Sequence, residues 1–333
     1  MNAISTKDSA RFLSMLKNSG RTLIVTHSHP DGDAIGAAIA LKHFICEKLG
    51  NEAEIAASDS VPDTLAFAVE GENISTVIPE GKFDLIAGLD ISGFERCAAL
   101  AEALRAMDVP KLLVDHHLNP CVGEFDLVFS DSGVSSTCEL LFWILKALEG
   151  SAGNLPKATA DALMLGMTTD TNNFANSVFP TTLAMAGELL EAGVDRDLLL
   201  DRLLHSYRQN RVKAISYLLH KNMRITPEGC AYIIVRRQVY RRYKLTEGEL
   251  EGMVNIPLTM KDVRMSIYLR QDKGFFRVSI RSKKGVSANA LAMKYFNGGG
   301  HEQAAGGKLF YPKDIQFKGE AARYIEKVTK EFL

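Results

Sequence analysis

A repeated pattern in the first half of the chain, a continuous apolar segment followed by a helical one, most constrains the fold. The apolar segments are RTLIV at 21–25, KFDLIAGL at 82–89 and PKLLV at 110–114. Strands that are apolar throughout are typical of a parallel sheet covered by helices on both faces. Ligands of such sheets bind at the carboxyl ends of the strands. The pattern therefore predicts an α/β domain with its site at those ends, and helices over 7–18, 34–50, 94–107, 134–149, 156–169 and 180–192.

The chain changes character after residue 194. Between 195 and 224, leucines and other apolar residues recur at helical spacing, which predicts a long amphipathic helix that connects two domains. Beyond it, CAYIIV, VRMSIYLR and GFFRVSI are typical strands, followed by a helix over 287–296, the glycine-rich segment GGGHEQAAGG, the strand KLFY and a closing helix. We therefore expect an α/β domain over 1–194, the connector over 195–224 and a smaller α+β domain over 225–333.

Composition and charge narrow the class of function. The chain is 46% hydrophobic and 24% charged, as in ordinary globular proteins. Its net charge of -1 gives no reason to expect tight binding of long nucleic acid, although a short anionic substrate fits. Five scattered cysteines predict reduced thiols and a cytoplasmic protein. No apolar segment has the length of an export signal or a membrane span, so we expect no membrane partner.

Acidic and imidazole side chains gather where the predicted strands end. HSHPDGD at 27–33 follows the first strand, Asp90 ends the second, and DHH at 115–117 ends the third. Carboxylates at this density repel one another unless a cation offsets their charge. Imidazole and carboxylate ligands together suit manganese, iron or zinc better than calcium or magnesium. The strand ends therefore predict a metal site.

Each of these motifs also has a structural interpretation when it is taken alone. Pro-Asp-Gly-Asp is a typical turn, Asp33 or Asp90 could cap the next helix, and TDT at 169–171 could simply end one. Ser135, Ser136 and Thr137 precede another helix and could cap it or contact phosphate. His and Asp at more than one strand end favour the metal site over independent turns.

Taken together, these motifs resemble those of the DHH phosphoesterases, a family named for the triplet found here at 115–117. HSHPDGDAIG at 27–36, Asp90, VDHH at 114–117 and TDT at 169–171 occur in the family's order. GGGHEQAAGG at 298–307, preceded by Ile280-Arg281-Ser282, resembles the DHH-associated substrate domain. The sequence departs from the pattern at Asn172 and Asn173, where short members often have glycine and arginine, and over 91–94, which lacks a common acidic residue.

The resemblance implies a site with two divalent metal ions, with manganese expected. One ion would be held by His27, Asp31 and Asp90. The second would be held by Asp33, Asp90, His116 and Asp170. Asp90 would thus be shared between the ions and, with His117 as a donor to the substrate phosphate, carry the catalysis. Asp115 would orient a histidine, whereas His29 receives no role. In the second domain, the residues implied in substrate contact are Arg281, Ser282, Gly299, Gly300 and His301.

The resemblance further implies hydrolysis of phosphoester bonds. Short members of the nano-RNase and pAp phosphatase type degrade very short oligoribonucleotides, such as pGpG and pApA, to 5'-mononucleotides. They also convert adenosine 3',5'-bisphosphate to AMP. We therefore expect short RNA and nucleotides as substrates, and the resemblance leaves a homodimer open. A cyclic-dinucleotide phosphodiesterase, a pyrophosphatase or exopolyphosphatase, and a nucleotide-binding regulator without catalysis are the alternatives.

Overall fold

A computed structural model describes residues 6–246 and 248–333 of the protein. It contains two compact units, Met1–Ser206 and Tyr207–Leu333, each with its own six-stranded sheet. Within the described residues, no helix has the length and apolarity that crossing a bilayer requires. The predicted α/β domain and the α+β domain are both confirmed.

The first unit is built on a parallel sheet. Its strands are β1 Arg21–Val25, β2 Glu52–Ala56, β3 Ile74–Ser75, β4 Leu85–Leu89, β5 Lys111–Asp115 and β6 Leu127–Ser130. Its α-helices are α1 Thr6–Asn18, α2 Gly32–His43, α3 Ala101–Ala106, α4 Thr137–Glu149, α5 Lys157–Asp170, α6 Pro180–Glu191 and α7 Arg196–Leu204. The strand order is β3-β2-β1-β4-β5-β6, so the direction of winding reverses between β1 and β4. Ligand sites of open α/β sheets lie at such a reversal.

Side chains of the central strands enter two cores, one on each face of this sheet. On β1, Ile24 packs in the larger core with α1, α2, α4 and α5, whereas Leu23 and Val25 pack in the smaller one below α3. This burial on both faces explains why the strands are apolar throughout. In register, Val25 lies opposite Gly88, which lies opposite Leu113. The chain therefore leaves β1, β4 and β5 at the same edge of the sheet.

The second unit carries a mixed sheet with helices. Its strands are β7 Arg224–Ile225, β8 Cys230–Val235, β9 Met265–Gln271, β10 Phe275–Ser282, β11 Gly299–Gly300 and β12 Ala304–Phe310. Its α-helices are α8 Gln209–Tyr217, α9 Arg237–Tyr243, α10 Ala288–Tyr295 and α11 Ala321–Phe332. The order is β11-β12-β10-β9-β8-β7, in which β8 and β9 are parallel and the other pairs antiparallel. Alternate residues of β10 are buried, which matches a strand with one core face.

The prediction of one long connecting helix over 195–224 is wrong. The segment forms two helices, α7 and α8, and the boundary between the units falls at residues 206 and 207, in the break between them. Arg208, in this break, pairs with the Glu249 carboxylate through Nε (2.8 Å) and Nη2 (2.6 Å). Because this partner is distant in sequence, helical spacing on each side of the break does not reveal it.

Candidate metal centre

The loops after β1 and β4 bring the first group of candidate ligands together. His27 follows β1, and its Nε2 lies 3.4 Å from Asp90 Oδ2 and 3.8 Å from Asp31 Oδ1. One ligand atom from each of the three residues lies within 4.8 Å of the others. His27 and Asp90 are buried, whereas Asp31 is exposed. The predicted set of His27, Asp31 and Asp90 thus converges.

A second group forms around His116, directly after β5. His116 Nε2 lies 3.7 Å from Asp90 Oδ1, 4.0 Å from Asp33 Oδ2 and 3.6 Å from Asp170 Oδ2. Asp170 is the last residue of α5, as expected from TDT at the end of a helix. Asp90 presents one oxygen to His27 and the other to His116, so it is common to both groups.

Helix N-termini hold two of the carboxylates. Asp31 is the N-cap of α2, because its Oδ1 accepts hydrogen bonds from the N–H groups of Asp33 and Ala34, each at 3.1 Å. Asp33 instead accepts from the N–H groups of Thr137 (2.7 Å) and Cys138 (3.0 Å) at the start of α4. Asp31 is therefore both the N-cap of α2 and a candidate ligand. Asp33 does not cap its own helix. Partial positive charge at both helix starts favours these carboxylates.

Asp90 is held in a rare backbone conformation. Its φ is 58°, a left-handed value that non-glycine residues adopt at a cost and that is common at functional sites. Its N–H donates to the Val114 carbonyl (3.1 Å), and the Thr137 hydroxyl donates to its Oδ1 (2.9 Å). These contacts aim the carboxylate at both histidines at once.

The electrostatics of the site fit a bound cation. Burial, together with the Asp90 and Asp170 carboxylates, raises the pKa of Asp33 well above its usual value. Burial alone would lower the pKa of His27, but Asp31 and Asp90 raise it to about 10. Burial opposes ionisation of Asp90, yet its histidine neighbours hold its pKa below the usual range. Four converging carboxylates with imidazole nitrogens form a donor set suited to divalent transition metals.

The third residue of the DHH triplet is oriented by the first. His117 Nδ1 lies 2.7 Å from Asp115 Oδ1 and 3.5 Å from Asp90 Oδ1. Asp115 is fully buried, and its second oxygen has no hydrogen-bond partner among the described residues. Burial lowers the pKa of His117, but Asp115 and Asp90 raise it above its usual value. Distances alone would also allow Asp90, Asp115 and His117 to hold an ion.

Sequence reasoning did not find the role of Thr137. Ser136 is the N-cap of α4, since its Oγ accepts from the Glu139 N–H (3.0 Å), and Thr137 contacts both Asp33 and Asp90. The buried Glu139 carboxylate fixes this helix start by accepting from the Ser135 hydroxyl (2.6 Å) and the Thr182 hydroxyl (2.7 Å). The S-x-x-E capping pattern at 136–139 was the available signal for the helix start.

Glycines let α2, α4 and α5 approach one another at the site. A Cβ on Gly166 would lie 2.7 Å from Asp33 Oδ1 and 2.2 Å from Cys138 Sγ. A Cβ on Gly36 would lie 2.5 Å from the Ala162 carbonyl oxygen. Any larger side chain at these positions would displace Asp33 or separate the helices.

The loop that departs from the family pattern follows Asp170. Asn172, Asn173 and Phe174 all have positive φ, from 48° to 65°. Arg196 lies over the Phe174 ring at 5.3 Å and donates to Asn173 Oδ1.

His29, which received no role, contacts Asp59 through its N–H (3.1 Å) and its ring (3.3 Å). It therefore belongs to the loop, outside the two ligand groups.

The predicted substrate residues of the second unit lie on β10 and on the β11–β12 hairpin. Arg281 Nη1 donates to the Ile280 carbonyl (3.0 Å). Ser282 is buried and its hydroxyl donates to the Val286 carbonyl (2.6 Å), so it holds the following turn. His301 begins the tight turn of the hairpin, where its N–H donates to the Ala304 carbonyl (2.8 Å). Substrate contact by these residues stays a prediction.

The fold requires glycine at some positions of this hairpin but not at all of them. A Cβ on Gly298 would lie 1.9 Å from the Gly306 carbonyl oxygen, and one on Gly300 would lie 2.6 Å from that of Ala304. Gly300 also has a φ of 146°. A Cβ on Gly299 would meet nothing closer than 3.5 Å. The segment is thus an ordered hairpin, in which Gly299 is not required by backbone packing.

Models of two protein-family domains match this chain, one in each unit. The N-terminal domain of the DHH family matches residues 21–167, and the DHHA1 domain matches residues 231–329. A Thermus thermophilus relative, the bifunctional oligoribonuclease and PAP phosphatase NrnA, is 30% identical over 319 residues, which cover 94% of this chain and 90% of the relative.

The chain belongs to the DHH phosphoesterase family. The Bacillus subtilis protein of the same name is 26% identical over 294 residues, covering 86% of this chain and 89% of its own. The crystal structure of an exopolyphosphatase-related protein from Bacteroides fragilis has a TM-score of 0.89 at 27% identity, covering 100% of this chain and 98% of the other. DHH enzymes are metal-dependent hydrolases, and the converging histidines and carboxylates are residues that can bind a metal.

Proposed function

We propose that this DHH protein is a two-metal phosphoesterase that degrades very short oligoribonucleotides to 5'-mononucleotides and converts adenosine 3',5'-bisphosphate to AMP. The observation that carries the proposal is the position of Asp90, whose two oxygens face two separate ligand groups. A carboxylate shared in this way suits a pair of ions. The charges of Asp31, Asp33, Asp90 and Asp170 would balance two divalent cations, and we expect manganese.

In this proposal His27, Asp31 and Asp90 hold one ion, and Asp33, Asp90, His116 and Asp170 hold the other. The bound ions would supply an activated water and neutralise charge on the phosphoryl oxygens. No side chain of the protein is needed as a nucleophile. Thr137 and the starts of α2 and α4 keep the carboxylates in place, which avoids reorganisation during the reaction.

His117 is the residue that we assign to the substrate phosphate. Asp115 accepts from its Nδ1, which fixes the ring and leaves Nε2 as the remaining donor atom. In the protonated imidazolium, Nε2 would donate to a phosphoryl oxygen, and a charged donor binds such an oxygen more strongly than a neutral one. The buried Asp115 carboxylate then serves to position this histidine.

The substrate class is supported by the relatives and by the second unit. Two relatives that align over most of their length are named for oligoribonuclease and PAP phosphatase activity. The DHHA1 domain supplies Arg281, which can form bidentate contacts with phosphate, and the hairpin with Gly299, Gly300 and His301. The net charge of -1 favours short over long RNA.

The test is hydrolysis of labelled pGpG, pApA, adenosine 3',5'-bisphosphate and a long single-stranded RNA in manganese. We expect rapid conversion of the dinucleotides to mononucleotides and release of phosphate from the bisphosphate. Faster degradation of the long RNA than of the dinucleotides would reject the proposed substrate class.

Cleavage of polyphosphate or pyrophosphate is the second candidate. It is favoured by the structural likeness to a protein described as exopolyphosphatase-related. Both activities would use the same metal ligands, so only the substrate separates them. Phosphate release from pyrophosphate or polyphosphate at a rate equal to that of dinucleotide hydrolysis would move this candidate to first place.

A further inference from the structure

The second unit contains a basic cavity of about 550 Å³ that the proposed function does not use. Its wall is formed by β8, by α9, by the helical turn after α8 and by the residues at the start of α11. None of its lining residues is a candidate metal ligand or belongs to the β11–β12 hairpin. In the sheet order, β11 and the strands beside this cavity lie at opposite ends. We refer to it below as the basic cavity.

The charge of the basic cavity is strongly one-sided. Five of its lining side chains are cations, and none is acidic. The cations are Lys221, Arg224, Arg236, Arg242 and Lys318. Throughout the part of the chain that the structure describes, no ion pair engages any of them. The Glu326 carboxylate lies beside the wall, where it accepts a hydrogen bond from the Tyr232 hydroxyl (2.6 Å). It offsets one of the five positive charges.

Two of the guanidinium groups are positioned by neighbouring groups. Arg242 lies over the Tyr217 ring at 5.0 Å. Arg224 Nη1 donates to the carbonyls of Lys221 (3.1 Å) and Met223 (2.9 Å). Gly319 and Ala322 place the start of the twelve-residue helix α11 at the wall. Like charges held together in a concave site destabilise the fold unless an anion binds there.

The remaining wall is suited to an organic group. Tyr217, Tyr232, Ile234 and Val239 contribute aromatic and aliphatic surface beside the cations. The cavity volume lies within the usual range for small-molecule sites, roughly 300 to 1,000 Å³. Cations that surround a compact cavity suit several phosphate groups on one small molecule, whereas an extended groove would suit the backbone of a long RNA.

We propose that the basic cavity binds a nucleoside polyphosphate, at a site separate from the metal centre. Arg236 and Arg242 would bind the phosphate chain together with Lys221 and Lys318, and the tyrosines would contact the nucleoside. A terminal phosphate carries roughly two negative charges near neutral pH, so several phosphates would match the excess positive charge of the wall.

Calorimetric titration of the full chain with ATP in excess EDTA tests this proposal, because EDTA removes divalent ions and leaves the nucleotide as a free polyanion. We expect one saturable event, competition by inorganic tripolyphosphate, and binding of AMP that is weaker by about tenfold or more. The double substitution Arg236→Gln and Arg242→Gln should raise Kd for ATP by about tenfold or more.

The matched control is Arg241→Gln with Arg323→Gln. It removes the same charge from exposed positions on α9 and α11 that do not line the cavity. We expect Kd for ATP to change by less than about twofold in this control, since exposed charges act weakly at a distance. Thermal unfolding of both variants verifies the fold, and both should hydrolyse dinucleotides in manganese as the unsubstituted chain does.

Three results would overturn the proposal. The first is the absence of saturable binding by both ATP and tripolyphosphate. The second is equal weakening in the cavity variant and in the control, which would indicate general surface charge. The third is tighter binding of a long single-stranded RNA than of ATP with the same dependence on Arg236 and Arg242. Each result is independent of dinucleotide hydrolysis, which is measured separately.

Discussion

The loop 27–33 after β1 and the glycine-rich hairpin 298–307 represent two ways of building a site. In the loop, the candidate ligand atoms of His27, Asp31 and Asp33 belong to side chains, and backbone N–H groups of helix starts hold the carboxylates. In the hairpin, packing of backbone on backbone requires glycine at 298 and 300. Residue type therefore indicates candidate metal ligands in the loop, whereas in the hairpin the glycines at 298 and 300 are explained by the fold.

The largest expected effect is at the candidate metal centre, where side chains supply the ligand atoms. Asp90→Asn should reduce kcat for dinucleotide hydrolysis by about a thousandfold or more, because it removes one anionic oxygen from the carboxylate common to both ligand groups. Steady-state kinetics in manganese measure the loss. Asp59→Asn is the matched control, since Asp59 contacts His29 and Ser58, neither of which is a candidate metal ligand. Full activity of Asp90→Asn would show that the loops converge for structural reasons alone.

Thr137→Val should lower kcat by about 10- to 100-fold. The substitution keeps the shape of this buried residue but removes the hydroxyl that donates to Asp90. Thr137→Ser retains the hydroxyl and should restore most of the activity. Titration of each variant with manganese, with activity as the readout, separates weaker metal binding from loss of fold. Equal activity in the valine and serine variants would remove Thr137 from the site.

Two neighbouring substitutions in the hairpin separate its structural role from substrate contact. Gly298→Ala should lower the free energy of unfolding by about 1 to 3 kcal/mol, because its Cβ would meet the Gly306 carbonyl. Gly299→Ala should change it by less than about 1 kcal/mol. If Gly299 approaches the substrate as proposed, its alanine variant should instead raise KM for dinucleotides. Urea unfolding and KM values measure the two effects, and an unchanged KM in Gly299→Ala would leave the hairpin with a purely structural role.

The smallest expected effect concerns a fully paired carboxylate in the second unit. Arg208 and the Thr246 N–H (2.7 Å) bind Glu249, and hydrogen bonding to Arg208 lowers its pKa although burial opposes this. Because its pKa is lowered, ionised Glu249 stabilises the fold at pH values above the usual pKa of glutamate. This stabilisation is lost as the pH falls through the lowered pKa. Because Arg208 is half exposed, Glu249→Gln should cost at most about 1 kcal/mol at neutral pH.

Urea unfolding of both proteins at several pH values measures this cost. The difference between the unsubstituted chain and Glu249→Gln should shrink towards acid pH as Glu249 itself becomes protonated. A difference that does not change with pH would show that the carboxylate charge is not what stabilises this part of the second unit.

Local sequence patterns predicted the strands that are buried on both faces of the first sheet. The apolar strands β1, β4 and β5 and the polar residues after them follow from sequence. β2 and β6 were missed because NEAEIA at 51–56 has no clear strand pattern and LVFS at 127–130 is short. β6 is an edge strand and β2 pairs with β1 and β3, so both are specified by contacts with their neighbours in the sheet.

The site was predictable where its residues have side chains that commonly bind metal ions. Thr137 and Gly166 could not be assigned, because their role depends on Asp33, which is more than a hundred residues away from Thr137 in the sequence. Arg208, in the break between α7 and α8, likewise contacts the distant Glu249. Long-range contacts of this kind leave no periodic signal in the sequence.

The central claim is that Asp90 is shared by two metal ions, and counting bound manganese tests it most directly. Equilibrium titration of the metal-free chain should give two ions per chain, and Asp31→Asn should weaken one of the two binding events. Asp90→Asn should weaken both, because both ligand groups include this carboxylate. A single ion bound to the unsubstituted chain, or two ions bound with unchanged affinity to Asp90→Asn, would contradict the account.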